Sequence, residues 1–261
     1  MLGENNKGLK KGINQRIYSK SYRKYAGKYN LYFYGTVNCE SGTVTVATLE
    51  INFAKEEAVT MKIATSEGGE KLYYGDLQIS EMSPNVFIVL NSDFGEQVSL
   101  TFYDEPMNCE TFQCAVGAML SISAGDLKRA PVLNRFIITG YDVDEAHMKF
   151  IKAHLKLNTK YIDISPEMLS TSVEGVFGKC EMADRITDRL KKAFYSKRYY
   201  AIEDSFIVNT LRKDENLSLR QADELIAELR NNSLSNINFK INKSLDSTVY
   251  RCTNPKNISQ E

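Results

Sequence analysis

At 261 residues, 43% hydrophobic and 25% charged, with a formal net charge of zero, the chain has a globular composition and room for two domains. That balance excludes polyanion binding through global charge, and the longest apolar run, Val86–Leu90, is far short of the ~20 residues a membrane helix needs. Cys39, Cys109, Cys114, Cys180 and Cys252 show no Cys-x-x-Cys spacing and are expected to be reduced thiols in a cytoplasmic protein, with no disulfide framework.

The first 25 residues form a basic arm. Lys7, Lys10, Lys11, Arg16, Lys20, Arg23 and Lys24 face Glu4 alone, and Ile17, Tyr18, Tyr22 and Tyr25 are interleaved with them. No apolar stretch follows the basic start, which argues against a signal peptide. Arginine and lysine beside aromatic rings can pair phosphates and stack bases, so Arg16, Arg23 and Lys24 are nucleic-acid candidates. The competing expectation is that the tyrosines pack on the end of the next domain.

Residues 26–141 alternate apolar and polar side chains in eight short stretches separated by turn residues, the pattern of a closed antiparallel barrel or sandwich. Tyr29, Leu31 and Phe33 share one face of the first stretch. In the second, Val44 and Val46 alternate in one phase and Leu49, Ile51 and Phe53 in the other, which predicts a bulge near Ala47 and Thr48. Val59–Ile63 alternates cleanly, and Gly68-Gly69 predicts a hairpin turn. Val86–Leu90, apolar on both faces, reads as a central strand. In the seventh stretch Phe112, Cys114, Val116, Ala118, Leu120 and Ile122 form the apolar side, while Ala115, Gly117 and Ser121 leave room for a bulky neighbour or a ligand.

Beyond Gly140 the period changes to about 3.6. Asp142 is a candidate cap for a helix from Val143 to about Leu157. Tyr161–Ile164 reads as a short strand or loop, Ser165-Pro166 as a helix start, Ser170–Lys179 as a loop, and Met182, Ile186, Leu190 and Phe194 as a helix face. Ser218–Gln221 is a capping box opening a helix with an apolar face of Leu219, Ala222, Leu225, Ile226 and Leu229. Ile237–Asn242 and Thr248–Arg251 predict a terminal hairpin. This order resembles a winged helix with Ser218–Asn231 as the recognition helix, yet that helix sets Asp223, Glu224 and Glu228 beside Arg220 and Arg230 and lacks the basic surface of a groove reader, and residues 181–261 hold 14 basic and 12 acidic side chains.

The stretch Gly27-Lys28-Tyr29 before the first strand resembles the opening of lipocalin-like (calycin) barrels. The resemblance covers residues 26–141 and implies that a basic residue of the last strand, Arg135, packs over the ring of Tyr29, closing a cup for a small apolar ligand. Tyr32–Tyr34, Tyr74-Gly75 and Pro131 also resemble the cadence of bacterial regulators that join such a barrel to an effector module. Independently, an eight-stranded barrel either fills with side chains or holds one small molecule.

His147 and His154 lie seven residues apart, roughly 10 Å along a helix and too far for one ion, so no metal is expected. Gly175–Cys180 lacks the spacing of a phosphate loop. No paired carboxylates or activated nucleophile stand out, so neither an enzyme nor a cofactor is expected.

The sequence thus predicts an α+β protein: a basic arm (1–25), an antiparallel eight-stranded lipocalin-like barrel (26–141), and a mostly helical domain ending in a hairpin (142–261). Its expected function is non-enzymatic sensing of a small planar or apolar ligand, relayed by the helical domain to a protein partner. Tyr29, Tyr34, Met61, Tyr73, Tyr74, Gly117 and Arg135 are the candidate ligand residues, although the same rings can fill the barrel as core. The alternatives are a DNA-binding regulator using the arm and the winged-helix-like end, and an assembly protein with a filled barrel.

Overall fold

The computed structural model describes residues 20–35, 43–65, 68–80, 83–104, 111–123, 129–157, 161–194, 198–234 and 239–240. After a single helical turn, α1 (Lys20–Arg23), eight strands follow: β1 (Gly27–Tyr34), β2 (Val44–Ile51), β3 (Val59–Ala64), β4 (Glu70–Ile79), β5 (Asn85–Asn91), β6 (Gln97–Tyr103), β7 (Cys114–Ile122) and β8 (Pro131–Thr139). Each pairs antiparallel with the next, and β1 pairs with β8 through Asn30–Phe33 against Thr139–Phe136. The sheet therefore closes into the expected barrel.

Because side chains alternate, each strand gives every second residue to the interior. Leu31, Leu49, Met61, Leu77, Ile88, Leu100, Met119 and Phe136 meet there as one buried cluster. Closure staggers the strands, so β1 covers only the Phe136–Thr139 part of its edge of β8. The rest of that edge of β8, toward Pro131, takes a two-residue strand, β11 (Phe239–Lys240), opposite Leu133 and Val132. The remainder of the predicted terminal hairpin lies outside the described residues.

Three local expectations are corrected. The pairing of β1 with β2 runs without interruption from Gly27↔Ile51 to Tyr34↔Val44, so no bulge exists at Ala47 and Thr48. Val44 and Val46 simply point outward, Val44 packing against the cluster beneath the first long helix. In β7 the apolar side faces out and the small side faces in, since Val116, Leu120 and Ile122 are exposed. Val86, Ile88 and Leu90 point inward, but Phe87 and Val89 are exposed, so β5 is buried on one face only.

The helical part begins with α2 (Met148–Leu155), shorter than predicted. Asp142 does not cap it; its carboxylate accepts a hydrogen bond from Asn30 Nδ2 at 2.8 Å. Strand β9 (Tyr161–Ile164) pairs with β10 (Tyr200–Glu203) across two helices, α3 (Pro166–Phe177) and α4 (Glu181–Phe194). Ser170–Lys179 is therefore not a loop. The Ser165 cap accepts from Met168 N–H, and the buried Leu169, Ser172 and Val173 carry α3 through it to Phe177. Three helical pieces then run together, α5 (Asp204–Phe206), a π-helical stretch (Ile207–Leu211) and α6 (Arg212–Asp214), before α7 (Leu219–Asn231). Ser218 and Gln221 form the predicted capping box of α7. Ile162, Ile186, Leu190, Ile202, Leu225 and Leu229 unite these elements in a second core.

A barrel with a sealed floor and a polar mouth

One end of the barrel is plugged with rings. The chain entering β1 lays Tyr22 and Tyr25 across the floor, where Tyr22 meets Phe53 edge-on at 6.0 Å and Tyr25 meets Phe112 at 5.2 Å. The Lys24 ammonium lies 2.8 Å from Asp104 and 5.1 Å from the Tyr25 ring centroid. The Tyr25 hydroxyl donates to the same carboxylate. The tyrosines of the arm thus pack on the barrel end, and Lys24 is buried beside them.

The opposite end is chemically different. Glu96, just before β6, is mostly buried and gathers three donors: the Tyr73 hydroxyl at 2.7 Å, the Lys71 ammonium at 3.3 Å and the Arg129 guanidinium. Burial works to raise the Glu96 pKa. The hydrogen bonds from Tyr73 and Lys71, with the charges of Lys71 and Arg129, outweigh it and hold the carboxyl below its usual range. Burial and the Glu96 carboxylate raise Tyr73 in turn, so it stays a neutral donor.

In the barrel interior toward this end stands Asn134. It follows the inward phase of β8, between Val132 and Phe136 and opposite Met119. Only 1% of it is exposed, and neither its Nδ2 nor its Oδ1 has a hydrogen-bond partner. A carboxamide offers two donors and an acceptor oxygen, and leaving one buried and unmet costs about 1–3 kcal/mol. Sequence reasoning missed it, although an asparagine in the phase of Val132, Phe136 and Ile138 is a readable signal.

The other predicted ligand residues are dispersed. Met61 and Tyr73 point inward. Tyr29 is also inward but belongs to the floor, where its hydroxyl donates to the Tyr25 carbonyl at 2.9 Å. Tyr34 faces outward under α2; its hydroxyl donates to the Lys152 carbonyl at 3.0 Å, and burial pushes its pKa up to about 12. Tyr74 and Arg135 also lie on the outer phase. Arg135 donates to the His154 carbonyl at 3.3 Å, so the expected contact between its guanidinium and the Tyr29 ring does not form. The two side chains occupy opposite sides of the barrel wall. The space beside Gly117 is filled by the Phe136 ring, which a Cβ there would meet at 2.5 Å.

Elsewhere, a shallow groove of about 250 Å³ crosses the outside of β1–β4, lined by Lys28, Val46, Thr48, Glu50, Thr60, Lys62, Ala64 and Glu70. Of the nucleic-acid candidates, Arg23 is exposed, Lys24 is committed to Asp104, Arg220 pairs with Glu224, and Arg16 lies outside the described residues. No group of three metal-ligating side chains occurs among the described residues, and no helix among them is long and apolar enough to cross a membrane.

At the junction of barrel and helices, Arg230 pairs with Asp204, while Arg230 Nε and Asp204 Oδ1 are buried without partners. These two atoms are a complementary donor and acceptor on the same ion pair, and a small rotation makes the pair bidentate. Nearby His154 is held below its ordinary pKa by burial, then by the charges of Arg230 and Arg135, against the pull of Asp204 and Asp223.

Comparison with family models, curated proteins and solved structures yields no match.

Proposed function

We propose that this chain is a non-enzymatic binding protein for a small, largely apolar or planar molecule, received through the mouth of the barrel and reported by the helical unit. The Asn134 carboxamide carries the reading. It is buried, aimed inward and unmet in both donor and acceptor, beneath the polar cluster of Lys71, Tyr73, Glu96 and Arg129. Because rings plug the floor and the Phe136 ring fills the space beside Gly117, this reading puts the ligand at the end of the barrel nearer Asn134. A molecule with one amide-like edge, offering an acceptor beside a donor, answers both unmet atoms while its remaining surface meets Met119, Leu100 and Phe33.

Support for the reporting role comes from α2, which lies on the outside of β1 and β8. Ile151 and Leu155 pack against Tyr32, Tyr34 and Ile137, and Asn231 at the end of α7 donates to the Lys149 carbonyl at 3.1 Å. A change in the curvature of β8 reaches α7 through this helix. No comparable support favours DNA reading, because α7 turns Ala222, Leu225, Ile226 and Leu229 into the helical core and Arg220 is engaged by Glu224.

The test is thermal denaturation with benzamide, 2-pyridone and related planar amides, read beside the side-chain amide resonances of Asn134. A binding compound raises the melting temperature and shifts those resonances, and Asn134→Leu abolishes both effects. If no planar amide shifts either signal, and Asn134→Leu only stabilises the protein, the carboxamide is a buried defect and the reading fails.

A further inference from the structure

The outer wall of the barrel is divided by charge. On β1–β4 the outward positions include Lys28, Glu50, Lys62 and Glu70. On β5–β8 the only charged outward side chain is Arg135, and its guanidinium is drawn aside to the His154 carbonyl. The centre of that wall is apolar or hydroxylic, with the uncharged amides of Asn85, Asn91 and Gln97 at its two ends. Phe87 is 42% exposed, Val89 41%, Leu120 50%, Leu133 39%, Ile122 40% and Tyr103 74%.

Register makes these residues one surface. Val89, Ser99, Leu120 and Leu133 form one row across the four strands, and Phe87, Thr101, Ala118 and Arg135 form the next. The apolar side chains together expose on the order of 500 Å², the upper end of what a monomer carries as one patch. Depletion of charge with retention of aromatic and aliphatic groups is the composition of an interface core. Soluble sheets ordinarily guard such a face with lysine or glutamate, as the opposite wall does here.

We propose that this face is the homodimer interface of the protein, and that its occupant is the same face of a second copy. Three observations select a second copy. First, the face carries no net pattern of charge for a partner of opposite sign to read. Secondly, its relief is self-complementary: Ser99, Thr101 and Ala118 form a low strip between the higher rows of β5 and of Leu120 and Leu133, so a two-fold axis seats Leu120 of each copy over the low strip of the other. Thirdly, two such patches with their polar margins reach the roughly 1,200–2,000 Å² that stable protein interfaces bury. Sheets meeting this way pack about 10 Å apart with aligned strands.

Sedimentation equilibrium of the full chain over a range of concentrations tests this. The wild type sediments as a dimer. Leu120→Glu and Phe87→Ser, both at exposed outward positions, each weaken it by on the order of a hundredfold, with unchanged circular dichroism and melting profile at low concentration. Lys62→Ala, on the charged wall, leaves the dimer intact. A wild type that stays monomeric at its highest soluble concentration overturns the proposal, as does a dimer that survives both substitutions on the face.

Discussion

Replacing Gly117 with alanine asks whether the barrel interior beside β7 is full. A Cβ at this position would lie 2.3 Å from the Thr101 carbonyl oxygen of β6 and 2.5 Å from the Phe136 Cζ, where ordinary contact begins at 3.4 Å. The ring can retreat only against Phe102, which it meets edge-on at 6.1 Å, and the carbonyl can retreat only if β6 moves by about 1 Å in its ladder. Overpacking of a filled core costs about 1–3 kcal/mol, and a backbone obstacle puts this case at the upper end. Replacing a strand glycine otherwise gains about 0.5–1 kcal/mol, leaving a net loss near 2 kcal/mol. Urea denaturation reads it as a lower midpoint at unchanged slope. Phe136→Leu in the Gly117→Ala background recovers part of the loss and not all of it, because the Thr101 oxygen remains. A Gly117→Ala protein as stable as the wild type would refute the filling of the barrel at the level of Gly117 and Phe136.

Other expectations follow from the ends of the barrel and the helical unit. Asp104→Asn removes the carboxylate shared by Lys24 and the Tyr25 hydroxyl and destabilises the floor by about 2–3 kcal/mol in chemical denaturation. His154 is held below its ordinary pKa, so the folded state resists a proton that the unfolded chain accepts. Its contribution to stability is therefore complete above about pH 6.5 and is lost as the pH falls below that value. His154→Gln should show a smaller drop in denaturation midpoint than the wild type between about pH 7 and pH 5. Ser218→Ala breaks the capping box of α7 and lowers stability by about 1 kcal/mol in a denaturant titration, whereas Ser218→Asp recovers most of it.

The barrel was legible because alternation survives in nearly every strand and because turns such as Gly68-Gly69 and Asp93-Phe94-Gly95 punctuate it. The errors came where both phases of a strand are apolar. In β7 the larger residues suggested the inside, but Phe136 and Phe102 had already claimed the inside near its start, so Gly117 and Ala115 fit there and Met119 fills the space further along. The same ambiguity turned the outward Val44 and Val46 into an imagined bulge. Ser170–Lys179 looked like a loop because its polar residues outnumber its apolar ones, yet Val173 with Leu169 was enough to hold a helix against α7. Most of the polar mouth was invisible for another reason. Lys71, Glu96 and Arg129 are distant in sequence and meet only because the strands are staggered around a closed sheet. Pairing Arg135 with Tyr29 required them on one side of the wall, and the neighbouring inward Phe136 already placed Arg135 on the other.

The join between the first and last barrel strands rests on only four residue pairs, Asn30–Phe33 with Thr139–Phe136. Helix α2 straps this join from outside through Ile151, Leu155 and the bond from Tyr34 to Lys152. In hydrogen exchange, the amides of Asn30–Phe33 should therefore take their protection from the helical unit as much as from the sheet. Loosening α2, for instance by Leu155→Ala, should let deuterium into this ladder ahead of the amides of β5 and β6. The barrel is in that sense a hoop whose buckle belongs to the neighbouring unit, and whatever tugs on the helices is felt first where the ring was fastened.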